Sequence, residues 1–169
     1  MRSITSFLVL LVTLLGLAAC TDTARTSYLD LQGRVFIFNP RLATATYVVT
    51  LTVRKELPAG SKAVAVFDNP AGGDPLTSEQ KVRAGQSRVD FESDPLQCVA
   101  KGKTYHFTVT LYDADGKELQ VVKSEITSTL DQSILPPAPL VIGPAYDKNP
   151  ALDDTTAKDA LRAREKCPA

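Results

Sequence analysis

The chain has 169 residues, 44% of them hydrophobic, and its 19 basic residues are balanced by 19 acidic ones. The hydrophobic fraction is high enough for a packed core and excludes a chain that is disordered by composition. The neutral charge balance argues against nucleic acid as a partner, because nucleic-acid-binding domains usually carry a basic stripe. The length predicts a single domain.

The first 19 residues have the composition of a secretion signal. Arg2 provides a positive start, and an almost unbroken apolar run follows from Phe7 to Ala19. A membrane-spanning helix needs about 20 apolar residues, so this run is too short to span and is typical of a signal peptide. We therefore predict a signal helix over residues 1–19 that is removed from the mature protein.

The segment Leu17-Ala18-Ala19-Cys20 resembles the lipobox of bacterial lipoproteins. The resemblance implies that the signal is cut before Cys20, that the Cys20 thiol is acylated, and that the new amine is usually acylated too. Residue 21 is threonine rather than the aspartate that commonly marks inner-membrane retention, which implies an outer-membrane protein facing the periplasm. Residues 20–28 are then a lipidated tether. The alternative is an ordinary signal peptide, with Cys20 as an incidental thiol.

From Leu29 onward, apolar residues recur with the period of two that is typical of β-strands. In the first strand we predict that Leu29, Leu31, Val35 and Ile37 share one face and alternate with polar residues. The other predicted strands are Tyr47–Val53, Ala63–Phe67, Val89–Phe91, Tyr105–Leu111, Leu119–Ile126 and Leu140–Ile142, with Val122 indicating a bulge or burial on both sides.

Turn-forming residues separate these strands at 57–60, 69–75, 84–86 and 113–116, and the last of these predicts a hairpin. Short strands at this spacing predict an all-β fold, an antiparallel immunoglobulin-like β-sandwich of about seven strands over residues 29–144. Tyr105 opens a strand at a position that resembles the tyrosine corner of such sandwiches.

After Asp131 the character of the sequence changes. The segment Ile134–Pro139 must be extended because of its prolines, and Leu140–Ile142 can then add a short edge strand. The whole proline-rich segment Ile134–Pro144 either packs along the sandwich edge or docks into a partner. Residues 145–169 are predicted to be a tail with a short helix from Asp153 to Lys166.

Lipidation of Cys20 would leave two thiols, Cys98 and Cys167. An oxidising periplasm favours a disulfide between them, which would attach the short, marginal C-terminal helix to the sandwich. The alternative of one reactive cysteine lacks the basic cluster or nearby histidine that activates a thiol.

The sequence offers few candidates for catalysis or metal binding. His106 is the only histidine, and it shares a predicted exposed strand face with Thr108 and Thr110. Asp113–Gly116 is predicted to be a hairpin turn rather than a calcium loop, which needs flanking helices. The glycine-rich loop Asn69–Asp74 lacks the lysine and helix of a phosphate site and remains a candidate binding loop. We therefore predict no catalytic residue, no metal and no cofactor.

Three short segments carry a resemblance to small sandwich lipoproteins of bacterial envelopes, including the YbaY-like lipoproteins and the pilotins of type III secretion systems. These are Gly33-Arg34-Val35-Phe36, then Leu57-Pro58 ahead of the strand ending in Phe67-Asp68, and Leu140-Val141-Ile142. Cys20 is the one family site residue that carries over to this chain.

These observations lead to two functional hypotheses. The first is a non-enzymatic binding or assembly module, lipid-anchored to the membrane through Cys20, that offers sheet edges or loops to an envelope or secretion-system protein. The alternative is a periplasmic small-molecule or glycan-binding lipoprotein in which Tyr112 or Tyr146 lines a groove. A concave apolar pocket would favour the second hypothesis, and an exposed apolar edge would favour the first.

Overall fold

A computed structural model describes residues 27–153 and Cys167, and these form antiparallel β-sheets. The strands are β1 (Leu29–Asn39), β2 (Thr44–Val53), β3 (Lys62–Phe67), β4 (Leu76–Lys81), β5 (Arg88–Glu92), β6 (Thr104–Tyr112), β7 (Glu118–Thr127), β8 (Val141–Ile142) and β9 (Asp147–Lys148). Two short 3-10 helices cover Gln132–Ile134 and Pro150–Asp153. The predicted all-β sandwich is confirmed.

The sandwich has one sheet of three strands, in the order β1-β2-β5, and one of four, in the order β4-β3-β6-β7. In the constant-type immunoglobulin fold the fourth strand lies in the first sheet, whereas here β4 pairs with β3 in the second. The tyrosine corner is present, because the Tyr105 hydroxyl accepts a hydrogen bond from the Ala100 N–H at 2.9 Å. The immunoglobulin-like prediction therefore holds, but β4 belongs to the second sheet and not, as in the constant-type fold, to the first.

The core lies between the two sheets and consists of side chains from the inward positions of the central strands. Tyr47 and Phe67 stack at its centre with their ring centroids 5.1 Å apart. The largest fully buried side chains are Tyr47, Phe67, Phe91, Leu29, Leu51, Leu96 and Leu111. No buried side-chain polar atom in the described part of the chain lacks a hydrogen-bond partner.

The prediction for β1 was wrong in its second half. A bulge between Leu31 and Gly33 shifts the register, so Leu29 and Leu31 face inward but Val35 and Ile37 do not. One extra residue reverses the side-chain alternation beyond it, and Phe36 and Phe38 pack against the core instead. The glycine within this strand was a sequence signal for the bulge.

The structure differs from the predictions in three other details. Strand β4 was missed, because Leu76–Lys81 is polar beyond its first residue. In β7 the inward residue is Val122, while Val121 is exposed and the register irregularity lies opposite Leu111 and Tyr112. Val141–Ile142 is a strand, but it pairs with β9 and not with an edge of the sandwich.

The segment that leads into β8 packs on the sandwich. Leu135 and Ala138 are buried, and the Leu140 N–H donates to the Arg41 carbonyl at 2.8 Å. The Asn149 side chain donates to the Pro139 carbonyl at 2.8 Å, which closes the β8–β9 hairpin onto the same segment. Of the two interpretations of the proline-rich region, the structure shows packing.

Cys98 and Cys167 form the predicted disulfide, with their Cα atoms 5.3 Å apart. The predicted signal helix, Cys20 and residues 154–166 of the predicted C-terminal helix lie outside the described residues. Within residues 27–153, no helix has the length and apolar character needed to cross a membrane.

The two ends of the sandwich are formed by different loops. We call the end at which β1 begins the near end, and there the loops 54–61, 82–87 and 113–117 connect the strands. At the far end lie the loops 40–43, 68–75 and 93–103, the segment 128–149 and the disulfide.

Candidate functional site

One surface feature is a cleft where the edge strands of the two sheets, β1 and β7, face each other. This edge cleft has a volume of about 230 Å³. It is lined by Arg34, Val35, Phe36, Phe38, Ile126, Thr127, Thr129 and Leu130.

A single side chain closes the cleft at the near end. The Gln120 side-chain carbonyl accepts the N–H groups of Tyr28 and Leu29 at 2.7 and 2.9 Å, and its amide donates to the Leu29 carbonyl at 2.7 Å. Gln120 thus supplies the hydrogen bonds that a neighbouring strand would make, and the start of β1 is fastened to β7.

Beyond the bulge, the outer edge of β1 is open. In the described part of the chain, only β2 pairs with the segment from Arg34 to Asn39. Every second residue of an edge strand directs its N–H and C=O away from its partner, so this segment presents unpaired backbone groups. Val35 and Ile37 on its outer face are 49% and 46% exposed.

The inner face of the same segment is held in place by aromatic packing. The Phe36 ring lies 4.7 Å from Tyr47 and 5.6 Å from Tyr105, measured between centroids. Arg34, on the cleft wall, is exposed and forms no ion pair within residues 27–153. The edge is therefore rigid, apolar on both faces and positively charged at one end.

His106 lies on the outer face of the four-stranded sheet, as predicted. Its Nδ1 is 3.2 Å from Asp68 Oδ2, and its Nε2 is 3.5 Å from Glu125 Oε2. The nearest serine in this region, Ser124, pairs with inward-facing Phe107 and so points to the opposite face of the sheet. Both imidazole nitrogens therefore face carboxylates, and the arrangement is not that of a nucleophile and its base.

The two candidate loops are held by their own side chains. Asp113 Oδ1 accepts the N–H groups of Asp115 and Lys117 at 3.0 and 2.8 Å, which is the predicted hairpin turn. Asn69 accepts the Ala71 N–H at 3.1 Å and donates to the Asp74 carbonyl at 3.1 Å, so it closes the glycine-rich loop.

Tyr112 and Tyr146, the aromatic residues proposed for a ligand groove, lie at opposite ends of the sandwich. The Arg41 guanidinium lies 4.7 Å from the Tyr146 ring centroid, and the Lys62 ammonium lies 5.9 Å from that of Tyr112. The structure therefore does not bring these two rings together in one groove.

The edge cleft was not found from the sequence. Val35 and Ile37 were assigned to the core, and the facing residues on β7 are some 90 positions away in the chain. The available signals were Gly33 and the alternation of aromatic with β-branched residues from Val35 to Phe38, which is consistent with burial on either face.

No protein-family model matches this chain, and a search of curated proteins finds no match to it. Among solved structures, the exo-chitosanase CsxA of Amycolatopsis orientalis is 17% identical over 60% of this chain and 13% of that one, with a TM-score of 0.36. OgpA from Akkermansia muciniphila is 9% identical over 61% of this chain and 28% of that one, also with a TM-score of 0.36. The match spans a small part of each of these proteins, and at these TM-scores neither likeness indicates a function.

Proposed function

We propose that the protein is a non-enzymatic binding or assembly module of the bacterial envelope. Acylated Cys20 holds it to the outer membrane, and the sandwich faces the periplasm. The open segment of β1 binds an extended segment of a protein partner, which adds a strand to the three-stranded sheet.

The observation that carries this proposal is the unpaired edge from Arg34 to Asn39 with exposed Val35 and Ile37. Natural β-proteins usually protect such an edge with charge, proline, a bulge or a covering segment, because it is a template for pairing with another chain. Here the bulge and Gln120 protect only the start of β1. Strand addition is an established mode of peptide recognition, with backbone hydrogen bonds for affinity and alternate side chains for specificity.

The chemistry of the edge also describes the partner segment. Alternate apolar side chains would cover Val35 and Ile37 on one face and fill the cleft beside Phe38 on the other. A carboxylate opposite Arg34 would supply the charge that this residue lacks within the described chain. We therefore expect an extended apolar segment that carries one acidic residue.

Crosslinking in intact cells tests the proposal. A photo-reactive residue at Ile37 is expected to give a defined adduct with one envelope protein. The same residue at Val66, which is 37% exposed on the other sheet, is the matched control and is expected to give none. Ile37→Lys, introduced with the photo-reactive residue at Val35, is expected to reduce the adduct at least tenfold, because a charge in the apolar row opposes burial. No adduct at Ile37, or equal adducts at both sites, would overturn the assignment.

The anchor has a separate test. Cys20→Ser is expected to move the protein from the membrane fraction to the soluble periplasmic fraction, because each buried methylene of an acyl chain contributes about 0.8 kcal/mol. Fractionation followed by immunoblotting measures this, with Cys98→Ser as the control thiol. Continued membrane association of the Cys20→Ser protein would contradict the lipidation proposal.

A further inference from the structure

A second surface, at the near end, is rich in basic residues and has no part in the edge cleft. Two adjoining grooves of about 510 and 310 Å³ share the loop residues Arg83, Gly85 and Gln86. One groove continues to Lys81, and the other continues to Arg54, Lys55 and the carboxylate of Glu56. We call the surface formed by Lys81, Arg83, Arg54 and Lys55 the basic groove.

The charges in the basic groove are only partly neutralised. Arg54 forms an ion pair with Asp30 at 2.7 Å, and the Lys55 ammonium lies 5.4 Å from the Tyr28 ring centroid. Lys81 and Arg83 form no ion pair within the described part of the chain. The groove therefore has cationic groups available to an anion.

The strand register adds an electrostatic cost in the same place. Lys62 of β3 is paired directly with Lys81 of β4. Like charges at directly opposite positions destabilise a sheet, and Glu79 offsets this for Lys62 alone, at 3.4 Å. An anion beside Lys81 would relieve the repulsion.

The loop that carries Arg83 is fixed by its own hydrogen bonds. Gln86 Oε1 accepts the Arg83 N–H at 3.1 Å, and Gln86 Nε2 donates to the Arg88 carbonyl at 2.6 Å. The Ser87 carbonyl accepts the Val53 N–H at 2.9 Å, which ties the loop to β2. A rigid loop places Arg83 at little cost in conformational entropy when a ligand binds.

Charge is distributed unevenly between the two ends. Taken together, the near-end segments 27–30, 52–62, 80–88 and 112–119 contain seven basic and five acidic residues, and the basic excess lies in 52–62 and 80–88. Taken together, the far-end segments 39–44, 67–76, 92–104 and 127–149 contain four basic and six acidic residues. The near end is also where the described chain begins at Ser27, and the segment from Cys20 to Ser27 reaches at most about 25 Å at full extension. With the anchor proposed above, the start of β1 at the near end stays within about 25 Å of the lipid headgroups.

We propose that the basic groove binds the phosphate of anionic phospholipid headgroups and so orients the sandwich with its near end on the membrane. The orientation rests on the proposed anchor at Cys20, whereas headgroup binding itself does not require acylation. Lys81 and Arg83 contact the phosphate, and Arg54 and Lys55 add to the attractive field. The open β1 edge and the far end then point into the periplasm.

Vesicle binding by the mature protein with Cys20→Ser tests this without the acyl chains. We expect sedimentation with vesicles of equal parts phosphatidylcholine and phosphatidylglycerol, and none with phosphatidylcholine alone. Lys81→Gln with Arg83→Gln is expected to weaken binding at least tenfold, because each basic residue at the surface contributes about 1 kcal/mol. Lys101→Gln with Lys103→Gln removes the same charge from the far end and is expected to leave binding within twofold of the parent protein.

Equal losses in the two double variants, or no preference for phosphatidylglycerol, would overturn the proposal. Displacement by inorganic phosphate, at an ionic strength matched with chloride, would mean that the groove holds a free anion, and would overturn the lipid assignment. Neither result affects crosslinking at Ile37, because these variants and vesicles do not involve the β1 edge.

Discussion

Tyr47→Ala is expected to lower the free energy of unfolding by about 3 to 5 kcal/mol. The ring is 1% exposed and stacks on Phe67 of the opposite sheet, and the Phe36 ring on the neighbouring strand β1 is 4.7 Å away. Its loss would leave a cavity between the sheets and remove the support of Phe36 in the edge cleft. Urea unfolding followed by circular dichroism measures the change.

Tyr47→Phe is the matched control for this substitution. It keeps the ring and removes only the hydroxyl, which donates to the Asp68 carbonyl at 3.2 Å. Burial raises the pKa of this hydroxyl, so it stays protonated and remains a donor throughout the physiological range. We expect a cost of about 1 kcal/mol for the lost hydrogen bond. Equal stability of Tyr47→Ala and Tyr47→Phe would mean that the ring does not support the core.

Removal of the disulfide by Cys98→Ala with Cys167→Ala is expected to lower the free energy of unfolding by about 2 to 4 kcal/mol. The bridge joins residues separated by 69 positions, so it restricts a long loop in the unfolded chain. The same urea titration measures this loss, and the wild-type protein with reductant should reproduce it.

Two controls accompany the disulfide variant. We expect Cys20→Ser to leave the stability of the sandwich unchanged, because the first strand begins at Leu29 and the disulfide joins Cys98 to Cys167. In the denatured, unreduced mature protein, a thiol reagent should find Cys98 and Cys167 blocked. Free thiols at these positions would contradict the disulfide, and unchanged stability of the double variant would contradict its contribution to the fold.

The sequence predicted the elements whose two faces differ strongly. In β6, Tyr105, Phe107, Val109 and Leu111 alternate with polar residues, and the structure buries all four. The cysteine count and the expected compartment predicted the Cys98–Cys167 disulfide. The position of Tyr105 predicted the tyrosine corner, in which its hydroxyl accepts a backbone hydrogen bond. These features depend on local pattern or simple pairing, which a sequence shows directly.

The remaining elements depend on contacts between distant residues. Leu76–Lys81 forms an edge strand that is largely solvated, so its sequence has no apolar alternation to reveal it. A one-residue bulge decides that Val35 and Ile37 point outward instead of into the core. Because both faces of the strand are apolar beyond the bulge, the sequence does not show that the side-chain alternation has reversed there. In the edge cleft, β1 and β7 are joined by the hydrogen bonds of Gln120 to Leu29, a contact across 91 positions that no local pattern shows.

The Gln120 contact also has a consequence for how far strand pairing can extend. An added strand can run along β1 from Asn39 back to about Arg34, where the bulge changes the backbone geometry, and Gln120 already occupies the hydrogen-bonding positions of Leu29 beyond it. The protein thus offers a short pairing site with one defined end. Such a site would fix the register of an added segment, and it would limit the indefinite edge-to-edge stacking that an open strand of full length allows.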